Sequence, residues 1–148
     1  EDMLLPPWMT VAYDEVGVAP FPIGQSNPRI TAYHAGTNIE GYDDKVSWCS
    51  SFVNWSLAQA GIAGTASALA RSWLEWGAAL DAPVPGCITV LWRDDPNSWK
   101  GHVGFYLRDD EELVYLLGGN QLGEVREHCY PKETVLGYRW PLDHARLV

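Results

Sequence analysis

At 148 residues the chain is the size of one domain, and with 47% hydrophobic and 20% charged residues it has a globular rather than a disordered composition. A net charge of −9 argues against nonspecific nucleic-acid binding, which needs a basic surface to displace counterions. No apolar run reaches the length of a membrane span, and EDMLLPPWM lacks the basic region and apolar stretch of a signal peptide, so either synthesis in the cytoplasm with export or release without a visible signal peptide, or a sequence that starts after a removed segment, is expected.

Trp8 to Val16 has helical spacing, with Pro7 suited to the first helical position and Gly17 ending the run. APFPIGQSNP reads as loop. Ser26 or Asn27 before Pro28 then starts a short helix, PRITAYHAG, that stops at Gly36. After the exposed connector TNIEGYDDKVS comes VSWCSSFVNWSLAQ, a helix running to about Ala60 and terminated by Gly61. Ser47 is a candidate N-cap that makes Trp48 and Cys49 the first helical residues. The thiol then lies beside backbone N–H groups with no intrahelical acceptor, a position that lowers a thiol's pKa and favours the nucleophilic thiolate. A further helix is predicted from about Ala66 to Ala79, with Leu69, Trp73, Trp76 and Leu80 at near-helical intervals.

Beyond the break at Pro83, Pro85 and Gly86 the texture changes to strands. CITVLW, HVGFYL, LVYLLG, EVREHCY and TVLGYRW are the candidates, joined by short turns. Helices first and strands second predict an α+β domain with an antiparallel sheet. In HVGFYL a period of two puts His102, Gly104 and Tyr106 on one face and Val103, Phe105 and Leu107 on the other. If RDDEE closes a hairpin with Leu107 facing Leu113, His102 falls opposite Gly118, and Asn120 lies two residues further on the same face.

Cys49, His102 and Asn120 thus supply a nucleophile, a base able to move its proton, and an amide to orient that base. The Cys49 backbone N–H would meet the developing oxyanion. A second donor is not legible; Ser47, Tyr42 and Asn54 are candidates. Cys49, Cys87 and Cys129 are odd in number and widely spaced, unlike a disulfide framework. No CxxC or HExxH spacing is present, and no metal or cofactor is expected. Most of the eight tryptophans are expected in the core; the rival reading makes the chain a noncatalytic carbohydrate-binding domain that stacks sugars on exposed ones. His34, His128 and His144 read as surface or structural residues, and Asp43 and Asp44 as complements to the helix dipole or solvated charges.

WCSSFVNWSLAQAGI, PVPGCITVLW, GHVGFYL and LGGNQ together resemble the papain-like cell-wall cysteine peptidases of the NlpC and CHAP type, as do PPWMTVAYDEVGV and ARSWLEWG. The resemblance spans nearly the whole chain and implies a single papain-like catalytic domain over residues 1–148. It implies hydrolysis of an amide in peptidoglycan, in a stem peptide first, or in a cross-bridge or at the muramoyl–alanine link, with Cys49 as nucleophile, His102 as base and Asn120 as third member. Action in the periplasm or cell wall follows. An antibacterial effector, partnered by an immunity protein, or a phage lysin would fit the same fold. Cys87 stands where relatives often have Asp and reads as structural. Gly118 stands where CHAP-type enzymes often carry a glutamate, which leaves Asn120, alone or with Gln121, to orient His102.

Overall fold

Proline at the first helical position, where its missing N–H costs no hydrogen bond, opens both α1 (Pro7–Tyr13) and α2 (Pro28–His34) in the computed structural model, which describes residues 5–142 and 144. Asn27 caps α2 by accepting from the Arg29 amide at 2.9 Å. The third helix, α3 (Cys49–Gln59), begins one residue later than expected. Trp48 is its N-cap and makes no side-chain cap bond, while Ser47 lies outside, exposed. Gly61, at φ 81°, ends it with its amide on the Ala58 carbonyl.

The expected helix over residues 66–79 is instead a short 3-10 turn, Ala70–Glu75, followed by a three-residue strand, β1 (Ala78–Leu80). Gly77 breaks the helix at φ 65°, and a Cβ there would lie 2.4 Å from the Trp140 carbonyl oxygen. The chain therefore turns out of helical geometry to pair β1 with the last strand. The remaining strands are β2 (Ile88–Trp92), β3 (Gly101–Asp109), β4 (Leu113–Gln121), β5 (Glu124–Pro131) and β6 (Val135–Trp140). They form one antiparallel sheet in the order β1-β6-β2-β3-β4-β5. The architecture is the expected α+β one, a few helices packed on a six-stranded sheet.

Helix α3 is enclosed rather than amphipathic. Cys49 to Asn54, Ser56 and Leu57 are all buried, because the sheet packs on one side and α1 and α2 on the other. Phe52 meets Phe105 of β3 and Tyr33 of α2 with ring centroids 6.4 and 5.2 Å apart; truncating such a ring costs about 3–5 kcal/mol. Trp8, Trp48, Trp73 and Trp140 are buried as the core reading expected, and Trp99 is exposed. Small serines let α3 sit inside: Ser50 donates to the Ser67 carbonyl at 2.7 Å and accepts from the Trp73 indole at 2.9 Å.

Of the residues read as surface or structural, His34 is structural, and Asp44, read as a helix-dipole complement or a solvated charge, is structural too. His34 is fully buried, bridging Ser51 Oγ at 2.7 Å and the Asp43 carbonyl at 3.1 Å. Burial, opposed by Asp43, pulls its pKa below the ordinary value. Asp44 is also buried, accepting from the amides of Phe21 and Asn27 and from Lys45 Nζ. Burial opposes its charge, yet these donors outweigh it and hold the carboxyl at about 2. Asp44 thus closes the loop between α1 and α2.

Candidate active site

A helix start, a strand start and a strand end converge on one point. Cys49 is the first residue of α3 and His102 the second of β3; both side chains are almost fully buried. The imidazole lies close enough to act on the thiol, and the backbone N–H groups of Ser50 and Val103 also face it. The close seating of α3 depends on Gly119, where a Cβ would lie 2.8 Å from both Phe52 Cβ and the Trp48 ring.

The amide that meets His102 belongs to Gln121, not to Asn120. His102 Nε2 lies 2.8 Å from Gln121 Oε1, while Gln121 Nε2 donates to the carbonyls of Leu116 at 3.2 Å and Arg126 at 2.6 Å. The cause is a broken alternation. Asn120 adopts φ 58°, and the β4–β5 register shifts between Gly118 and Gln121, so the strand turns and Gln121 takes the inward place. The β3–β4 register also differs from the expected one: a bulge at Leu107 makes Phe105 face Leu117 instead of Tyr115. Gly118 supplies the space, since a Cβ there would come within 2.6 Å of Gln121 Oε1. Gly118 carries no side chain, and the amide of Gln121, three residues on, fills the space beside it.

Because the Gln121 amide nitrogen is committed to two carbonyls, its oxygen must face the imidazole. His102 therefore carries a proton on Nε2 and leaves Nδ1 to the thiol. Burial works against charge on both partners, yet their mutual attraction prevails. The Cys49 thiol is drawn below its ordinary range by the His102 charge and hydrogen bond, helped by the two backbone amides. His102 is raised above its own by Cys49 and then Gln121, with Arg93 opposing weakly. Both shifts run toward thiolate and imidazolium, the charge state from which a cysteine nucleophile works.

A residue that sequence reasoning missed also touches the base: Tyr130 of β5 places its hydroxyl 3.1 Å from His102 Nε2. Nothing in the alternation of EVREHCY signals this reach. Of the candidate oxyanion donors, Asn54 is committed elsewhere. Asn54 holds the 65–67 loop through Ser50, Thr65, Ala66 and Ser67, and Ser47 and Tyr42 are exposed. Cys87 is buried, its thiol pushed up to about 11 chiefly by burial, and Cys129 is half-buried on β5. Among the described residues no group of three or more His, Cys, Asp or Glu is placed to hold a metal ion. A cleft of about 450 Å³ lined by Ala60, Ile62, Trp76 and Leu142 does not include the Cys49–His102 pair.

The helix-borne cysteine facing a strand-borne histidine is found on a fold that has already been solved. A crystal structure described as similar to lipoprotein, NLP/P60 family, from Staphylococcus aureus subsp. aureus Mu50 superposes with a TM-score of 0.57 and 16% identity. The chain shares the fold of an NLP/P60 protein. The match covers 93% of this chain and 41% of the solved one, so the chain spans less than half of that protein. No family model matches the chain, and no curated protein matches it in sequence. Among the described residues no helix is long and apolar enough to cross a membrane.

Proposed function

We propose that the chain is a cysteine hydrolase that cleaves an amide bond in bacterial peptidoglycan, with a stem peptide as the first-choice substrate. The observation that carries the reading is the buried cluster of Cys49, His102 and Gln121, in which Gln121 holds Nε2 of the imidazole and the imidazole draws down the thiol. The resemblance of WCSSFVNWSLAQAGI, GHVGFYL and LGGNQ to cell-wall peptidases, with the NLP/P60 fold, supports the substrate class.

In this reading the Cys49 thiolate attacks the amide carbon, and the first free N–H of α3 stabilises the oxyanion. The His102 imidazolium gives its Nδ1 proton to the departing amine, leaving a thioester on Cys49. The neutral imidazole then takes a proton from water, whose oxygen attacks the thioester; collapse releases the carboxylic acid and restores the ion pair. Gln121 Oε1 accepts from Nε2 throughout, so the ring never changes tautomer. Asn120 serves the site through the backbone, its left-handed φ delivering Gln121.

The test is digestion of purified sacculi by the wild type and by Cys49→Ala. Wild-type protein releases soluble muropeptides and Cys49→Ala does not. Full activity in Cys49→Ala would remove the nucleophile from the mechanism.

A further inference from the structure

One hydrogen bond does not hold an imidazole. With Gln121 Oε1 as the one acceptor on Nε2, the ring could still tilt about that contact and carry Nδ1 away from the thiol. A second group touches the same nitrogen. The Tyr130 hydroxyl oxygen lies 3.1 Å from His102 Nε2, and its ring lies 5.1 Å from the imidazole, 34° from parallel. The same phenol ring meets His128 edge-on, with centroids 5.1 Å apart and planes at 88°, so it is packed against a second imidazole as well.

The polarity of the contact follows from Gln121. With its amide nitrogen on the Leu116 and Arg126 carbonyls, Gln121 presents oxygen to His102, so Nε2 holds a hydrogen and the tyrosine oxygen accepts. We propose that Tyr130 is a positioning residue for His102, sharing the Nε2 proton with Gln121 so that the ring keeps Nδ1 aimed at the Cys49 thiol. Burial first, then the neighbouring thiols of Cys49 and Cys129, push the phenol's pKa well above its ordinary value, so Tyr130 stays an uncharged acceptor throughout the working range. The inference rests on Cys49 and His102 being nucleophile and base.

The test uses the full chain and two variants. Tyr130→Phe keeps the ring and deletes the oxygen; Tyr130→Ala deletes both. Iodoacetamide labelling of Cys49 is followed against pH by peptide mass spectrometry, which requires no peptidoglycan. Because the acceptor stabilises the imidazolium, and the imidazolium the thiolate, Tyr130→Phe should move the acid limb of labelling up by about half a pH unit. On muropeptides it should lower kcat several-fold with KM unchanged. Identical pH profiles and kcat in Tyr130→Phe and wild type overturn the proposal, as does a loss confined to Tyr130→Ala, which would reduce the residue to packing. Wild-type Cys49 labelling no faster than Cys87 and Cys129 would instead overturn the nucleophile assignment on which the inference rests.

Discussion

Gly118→Ala should disable the base without unfolding the protein. The new Cβ would stand 2.6 Å from Gln121 Oε1 and 3.0 Å from its Cδ, whereas ordinary contact begins at 3.4 Å. The oxygen must therefore withdraw by about 0.8 Å. Gln121 is a flexible side chain and Gly118 is not at positive φ, so the fold can accommodate the change, and alanine also restricts the unfolded chain. The casualty is the 2.8 Å bond to His102, which lengthens past hydrogen-bonding range. Losing a bond to a charged partner costs about 1.5–3 kcal/mol, or roughly 10- to 150-fold in kcat/KM. The assay is muropeptide release at fixed pH, alongside thermal unfolding. A Gly118→Ala protein with a native melting curve and wild-type kcat/KM would refute the claim that Gln121 orients His102.

The pH profile of kcat/KM should be set by the Cys49–His102 pair. Its acid limb should fall below the ordinary thiol value of 9.0, because thiolate forms early, and its alkaline limb above 6.5, where His102 loses its proton; a stopped-flow or discontinuous pH series checks both. Cys49 should react with iodoacetamide well before Cys87, whose thiol is held at about 11, as mass mapping of partly labelled protein will reveal. Ser56 Oγ is buried without a hydrogen-bond partner among the described residues, so Ser56→Ala should stabilise by about 1 kcal/mol, seen as a higher urea midpoint. Asp44→Asn should destabilise by ~1 kcal/mol at neutral pH. Since the folded carboxyl titrates at about 2, below its ordinary 3.8, the wild-type advantage exists above that value and fades as pH falls through 2, which urea titrations at two pH values will resolve.

The parts of the site that obey local rules were legible. Cys49 at a helix start and His102 at the head of an alternating strand follow from capping and period-two patterning, and the antiparallel sheet follows from the change of texture after Pro85. What escaped depends on departures from period. Alternation selects Asn120, and only its left-handed backbone hands the inward place to Gln121. The helix over residues 66–79 had the right tryptophan spacing, yet the close backbone of Trp140 at Gly77 overrode it. Tyr130 reaches His102 across a bulged sheet, a contact between residues 28 positions apart that no local pattern encodes. The sequence leaves His34 open between surface and structure and makes Asp44 look solvated because burial of a polar side chain is decided by its partners, here Ser51, the Asp43 carbonyl and two loop amides.

The central claim is that Cys49 attacks an amide of peptidoglycan. Mass spectrometry of sacculi incubated with wild-type and Cys49→Ala protein tests it most directly. The account predicts wild-type products that carry one new free amine and one new carboxyl, heavier together than the parent by one water, and no such products from Cys49→Ala. Equal product from both proteins, or none from the wild type, would contradict it.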